Sequence, residues 1–261
     1  MRWVRLQTPV LHSSFPCQIG IGILAFIRSL VIYFKTGIGW TLLLTFLFGI
    51  FVPLLQWWQE LLIEYIWGPQ ISLQEYDNFK LGLVLLILRE AIFFVSLLWA
   101  FFHFSLSPSI WVGHVWPPFG IVPISPKGIP LLNTFLLLRR GVTVTWAHHL
   151  LIAGEKSDCV KALVITMFLG VWFLVNQYFE LKEAPFRIRD GVFGRILFVL
   201  TGFHGLHVLL GLIFLEDTED CIHNFHNTSL THTKTDIFIW YWHLVDCVWL
   251  LVYIFIYWWG R

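Results

Sequence analysis

The sequence predicts an all-α integral membrane protein of seven spanning helices, and three observations predict it. Of 261 residues, 57% are hydrophobic and 13% charged, whereas soluble domains carry about 25% charge. The apolar residues gather in runs near the ~20 residues that ~30 Å of hydrocarbon requires at ~1.5 Å per residue. The aromatic content of 18%, with 15 Trp, suits a bundle with aromatic belts at its interfaces. Mean hydropathy is +0.74. A net charge of +1 without a basic stripe excludes nucleic acid as a partner. Cys17, Cys159, Cys221 and Cys247 are dispersed, with no C-x-x-C spacing. They read as small buried thiols rather than as metal ligands. The opening MRWVRLQTPVLHSSFP lacks the apolar core of a secretory signal and the pattern of a transit peptide.

The first helix is expected at about 19–34 and contains Arg28, which either snorkels or faces inward. The second, 40–67, is expected to break at Pro53. It ends in QWWQELLIEYIW, where Trp57 and Trp58 read as interfacial anchors. Glu60 and Glu64 lie one turn apart there. With no His or third acid nearby, they read as a wet helix end rather than a metal site.

The third helix, about 77–106, is the one around which the others are expected to pack. Its stretch LGLVLLILREAIFFVSLLWAFFHFSL carries Arg89 and Glu90 near the middle. A charge at the centre of a spanning helix costs roughly 2.5–3.5 kcal/mol on insertion scales. Glu90 should therefore face a protein interior, a water-lined cavity or a lipid headgroup drawn inward. It is either a packing lock paired with a base on another helix, or a functional acid. Arg89 is not the expected partner, because i,i+1 side chains point about 100° apart. His103 sits roughly 20 Å further along the axis.

Ser107–Pro130 contains Pro108, Pro117, Pro118, Pro123, Pro126 and Pro130, so an ordered surface loop is expected. The fourth helix, 130–152, holds Arg139 and Arg140, as costly at mid-helix as Glu90 and natural partners for it. It ends in TVTWAHHLL, where the sequential His148 and His149 cannot point the same way. The fifth helix is expected at 158–181 and the sixth at 192–215, followed by a polar loop from Glu216 to Asp236 that holds His223, His226 and His232. The seventh, 234–259, begins WYWHLVDCVW, where His243 and Asp246 share a face. A mutual or a cross-helix hydrogen bond accounts for that pair. Within the sixth helix, His204 and His207 are three apart beside Gly202, Gly205 and Gly211. Two metal ligands would fit that spacing. Imidazoles hydrogen-bonding across a close helix contact fit it better. One domain, 1–261, is expected. Lys and Arg flank both sides in similar number, so charge does not orient the chain.

The motifs together identify a family. The chain closely resembles subunit III of cytochrome c oxidase in QWW (Gln56–Trp58), E-x-x-F-F…F-W-A-F-F-H (Glu90–His103) and W-P-P-x-G-I-x-P (Trp116–Pro123). The agreement continues in P-L-L-N-T (Pro130–Thr134), G-V-T-V-T-W-A-H-H (Gly141–His149) and E-A-P-F-x-I-x-D-G (Glu183–Gly191). It ends in T-G-F-H-G-L-H-V (Thr201–Val208), W-Y-W-H-x-V-D-x-V-W-L (Trp240–Leu250) and I-Y-W-W-G (Ile256–Gly260). It is nearly complete from Gln56 onward and weak before it.

The resemblance implies a non-redox subunit whose first two helices splay from the other five to form a lipid-filled cleft. It implies a subunit that docks mainly on subunit I, beside subunit II and accessory subunits, and supports proton uptake and working life. Haem a and copper belong to neighbouring subunits. The lipids implied are phospholipids of the cardiolipin, phosphatidylethanolamine or phosphatidylglycerol type. The residues implied for the cleft are Glu90, Arg89, Trp57, Trp58, Glu64, Trp99, His103, Arg139 and Arg140. His148, His149, His204, His207, His243 and Asp246 are expected to serve packing, with no catalytic or metal residue. The location implied is the mitochondrial inner membrane, with the amino terminus on the matrix side, before a bacterial plasma membrane.

The chain departs from the family at Ile63 and Gly68-Pro69-Gln70-Ile71, where basic and His-rich residues are usual, and at Arg89, Arg139 and Arg140, where small ones are. The added guanidiniums are expected to pair with Glu90 or with lipid phosphate, or to meet acids of accessory subunits. From the residues alone, a proton or small-solute transporter and a self-contained metalloenzyme remain alternatives. The first would call for inverted repeats, and none is visible in the sequence.

Overall fold

In the computed structural model of the chain, the described residues are 13–37, 40–67, 73–110, 113–223 and 233–261. All their regular structure is helical: α1 (Phe15–Thr36), α2 (Trp40–Trp67), α3 (Leu73–Leu106), α4 (Ile129–Ala153), α5 (Lys156–Glu183), α6 (Gly191–His223) and α7 (Thr233–Val252). The chain continues from α7 through a π-helical stretch, Tyr253–Trp259. Among the described residues, five helices are long and apolar enough to cross a membrane, the segments being Phe15–Thr36, Lys80–Leu106, Lys156–Glu183, Gly191–His223 and Thr235–Trp259. The Gly68–Ile71 stretch, the Glu64 side chain, Trp111, His226 and His232 lie outside the described residues.

Local chemistry sets the helix ends. Pro16 stands in the first turn of α1 and Pro130 in that of α4, where a missing N–H costs nothing. Gly37 and Gly154 close the same helices at φ 68° and 83°, the left-handed backbone that glycine adopts without strain. Two expectations are corrected here. Pro53 lies inside α2 without ending it, since membrane helices re-satisfy the freed carbonyl locally. The acidic run after Leu215 is not loop: α6 continues to His223 because Leu215, Thr218 and Ile222 extend its buried stripe at helical spacing.

The chain divides into two compact units, Met1–Ser72 and Leu73–Arg261. In the first, α1 and α2 pack together where Gly22 meets Gly49. A Cβ on Gly22 would stand 3.1 Å from the Gly49 carbonyl oxygen. Arg28 is exposed, the snorkelling alternative.

The second unit holds α3 to α7. Helix α7 packs against α3, α4 and α6, and α5 bridges α4 to α6. Its centre is aromatic, with Phe173, Trp242 and Trp249 fully buried. Phe173 meets Trp249 edge-on at 4.8 Å, a geometry ring quadrupoles favour. Many large apolar side chains are exposed on the outward helix faces, while Arg140, His204 and Asp246 are buried inside. Cys159 and Cys221 are buried as expected, whereas Cys17 and Cys247 are exposed on helix surfaces.

Candidate functional site at Glu90

Helix α3 buries the stripe Leu83, Phe94, Leu98 and Phe101, and Glu90 falls on that stripe by its 7, 4, 8 and 11 residue offsets, all near whole turns at ~3.6 residues per turn. The carboxyl side chain is 14% exposed. Across the helix contact, His207 Nε2 meets Glu90 Oε2 at 3.0 Å, while His207 Nδ1 lies 2.7 Å from the Phe203 carbonyl oxygen. A carbonyl only accepts, so Nδ1–H donates to it. The Nε2–Oε2 contact then needs one more proton, carried by the imidazole or by the carboxyl. Rings hold the imidazole in place: Phe94 edge-on at 5.0 Å, Phe93 stacked at 6.5 Å and Tyr241 stacked at 6.4 Å.

The second partner of Glu90 corrects the expectation from helix geometry. Arg89 donates to Glu90 Oε1 through Nε at 3.0 Å and through a terminal guanidinium nitrogen. The backbone directions of i and i+1 diverge, but a long flexible side chain wraps back around the helix. The rest of Arg89 stays outside, its side chain 71% exposed beside 14% for Glu90.

The expected pairing of Arg139 or Arg140 with Glu90 is likewise overturned. Arg140 is fully buried and donates from Nε to Asp246 Oδ1 at 2.9 Å, with its terminal nitrogen 2.8 Å away. Its guanidinium sits 4.8 Å from the Phe173 ring and 4.7 Å from the Trp242 ring. Arg139 is exposed. Sequential arginines face different ways on a helix, and α4 turns Arg140 toward α7 rather than toward α3.

The remaining expected residues are spread out. Trp99, 73% exposed, lies nine positions from Glu90 and so on the opposite face of α3. His103 is exposed on that side too. Trp57 and Trp58 are half-buried on α2, in the other unit. His148 meets Asp236 at 2.8 Å across α4 and α7, while His149 is exposed. His204 Nε2–H donates to the Val245 carbonyl at 3.2 Å, the expected bond across a helix contact. Asp246 bonds Arg140, so its tie is the cross-helix alternative. His149, His243 and Asp246 line one groove between α4 and α7, with a volume of about 740 Å³. Of the three glycines beside His204 and His207, only Gly211 marks tight contact. A Cβ there would come within 2.5 Å of Trp242, whereas nothing lies within 4 Å at Gly202.

Asn133, Gln177 and Glu180 are also buried without having been expected there. The three-residue spacing of Gln177 and Glu180, which puts both on one face, is the sequence signal for them. Among the described residues, no three His, Cys, Asp or Glu side chains cluster closely enough to hold a metal.

An apolar-surfaced helical bundle with an acid, an arginine and a histidine tied at the edge of its core defines a polytopic membrane protein with a buried polar site. The sequence model for "Cytochrome c oxidase subunit III" matches residues 8–261. The chain is 44% identical to "Cytochrome c oxidase subunit 3" of Aedes aegypti over 253 residues, covering 96% of this chain and 95% of that one. The same-named protein of Pisaster ochraceus is 41% identical over 252 residues, 95% of each. That of Pongo pygmaeus is 44% identical over 220 residues, 84% of each. The chain belongs to the cytochrome c oxidase subunit III family.

Proposed function

We propose that this chain is a subunit of cytochrome c oxidase that contributes structure and electrostatics while the redox chemistry runs in neighbouring chains. On this reading it lies in the mitochondrial inner membrane with its amino terminus on the matrix side. Its main contact is subunit I, with subunit II and accessory subunits nearby, and haem a and copper stay in those partners. The chain retains phospholipids of the cardiolipin, phosphatidylethanolamine or phosphatidylglycerol type beside Glu90. In doing so it keeps the proton entry of subunit I hydrated and extends its working life.

The observation that carries this is the two-faced bonding of Glu90. Inward, His207 satisfies one carboxyl oxygen; outward, Arg89 takes the other and leaves most of its side chain exposed. Leu85, Leu88 and Ile92 around it are exposed apolar residues at 56%, 53% and 60%. A cation presented among lipid-facing side chains is suited to an anionic phosphate, which guanidinium grips with paired hydrogen bonds.

The test uses the purified oxidase containing this chain. Arg89→Gln is expected to lose about one tightly held phospholipid per complex, since one guanidinium grips one phosphate. Glu90→Ala is expected to leave initial oxygen reduction nearly intact while shortening the time to inactivation during turnover. Complete and immediate loss of oxygen reduction in an assembled Glu90→Ala complex would contradict the reading.

A further inference from the structure

The second unit buries another acid that plays no part in the Glu90 site. Glu180, near the end of α5, is 4% exposed. Beside it stands the Tyr257 hydroxyl, brought in by the π-helical end of α7, and that hydroxyl also neighbours Gln177. Gln177 Oε1 in turn accepts from Asn133 Nδ2 at 3.3 Å. A continuous polar run, Asn133–Gln177–Tyr257–Glu180, thus crosses α4, α5 and the π-helical stretch after α7, every member 4% exposed or less.

Two features of this run point to a ligand. Among the described residues, Glu180 forms no ion pair, in contrast to Glu90, Asp158, Asp236 and Asp246. The nearby Lys182 is directed elsewhere, with its ammonium 6.0 Å from the Tyr178 ring centre. Moreover, five polar atoms of the run have no aligned hydrogen bond: Asn133 Oδ1, Gln177 Nε2, both Glu180 oxygens and the Tyr257 hydroxyl. Buried polar groups do not stay unpaired in a folded core. Nor does a carboxylate stay ionised there without a counter-charge; it takes up a proton or a cation.

The chemistry of the neighbours decides between those two. A metal cation wants a shell of oxygens. Here Glu180 is the run's one carboxylate, no three His, Cys, Asp or Glu side chains among the described residues cluster to hold a metal, and Gln177, its oxygen engaged by Asn133, offers an N–H. A protonated carboxyl, by contrast, uses what is present. Its O–H can donate to the neighbouring phenol, and ordered water, with two to four polar partners, can reach its other oxygen and the free amide atoms of Asn133 and Gln177. We propose that Glu180 is held as a neutral carboxylic acid, forming with Asn133, Gln177 and Tyr257 a buried proton-binding site completed by ordered water.

The test is infrared spectroscopy on the membrane assembly that contains this chain, with isotope-labelled glutamate for assignment. The difference between the unsubstituted protein and Glu180→Gln is expected to show loss of a protonated-carboxyl carbonyl stretch, absent from the product and shifted by deuterium exchange. That band is expected to persist in Glu90→Gln, which separates the two acids. If the difference shows loss of a carboxylate stretch instead, Glu180 is ionised and the proposal fails. It fails equally if elemental analysis finds a stoichiometric metal ion that Glu180→Gln releases. Should Glu180→Gln not assemble, Tyr257→Phe supplies the readout. Removing the hydroxyl is expected to shift the Glu180 carbonyl band, and an unshifted band overturns the proposal.

Discussion

Arg140 and Asp246 are worth most when only one of them is lost. The guanidinium is wholly buried, its counter-ion nearly so, and two aromatic rings flank it. Removing one partner of such a pair strands a charge at a cost of about 3–5 kcal/mol, whereas replacing both by apolar residues of similar volume is often neutral. Arg140→Leu and Asp246→Leu are each expected to lower stability by about that amount, and the double variant to recover most of it. Thermal unfolding in mild detergent, read as a double-mutant cycle, checks this. Additive losses would mean that the two side chains do not interact. Glu90 behaves differently, because its two ties face opposite ways. His207→Ala removes the inward one and leaves the acid held by Arg89 alone. The expected result is a more lipid-exposed carboxyl that reacts faster with a hydrophobic carbodiimide. An unchanged rate would show that His207 does not hold it.

Helix α7 owes its place to what lies opposite its aromatic residues. Trp242 fits against Gly170 of α5 and Gly211 of α6, where an added Cβ would stand 3.1 Å and 2.5 Å from the indole. Three elements therefore approach closely because two of them lack side chains at the crossing. Gly211→Ala is expected to destabilise the bundle by about 1–3 kcal/mol through overpacking. Gly202→Ala, with open space around it, is expected to be neutral or up to about 1 kcal/mol stabilising through helix propensity. Detergent melting of the two variants side by side checks both. Equal effects would rule out the packing argument. The same reasoning explains the long α6: a buried stripe, not the end of the apolar run, decides where this helix stops.

In the second unit as a whole, the connection between α3 and α4 closes against the carboxyl end of the chain. Trp116 Nε1–H donates to the Gly260 carbonyl at 3.1 Å, and the Tyr253 hydroxyl donates to the Pro126 carbonyl at 3.3 Å. Phe101 packs edge-on to both Trp116 and Trp259. The proline-rich segment is thereby fastened rather than free, as expected for an ordered loop. Trp116→Phe with Tyr253→Phe is expected to cost about 1 kcal/mol per lost hydrogen bond. Amide exchange in 118–128 should quicken accordingly; unaltered protection there would mean that the tie is not what orders the loop.

The seven helices, their order and the family were legible in the sequence because run length, proline and glycine placement and aromatic motifs are local properties. The cost of charge in hydrocarbon is local too, so the sequence could announce that Glu90, Arg140 and Asp246 needed partners. Which partner each one took was settled only in three dimensions. Arg140 meets Asp246 and not Glu90, His207 reaches Glu90, and Glu180 meets Tyr257, because helix rotation and register fix side-chain neighbours. Both are set by packing between segments more than a hundred residues apart, as for Arg140 and Asp246. No periodicity within a single helix contains that information.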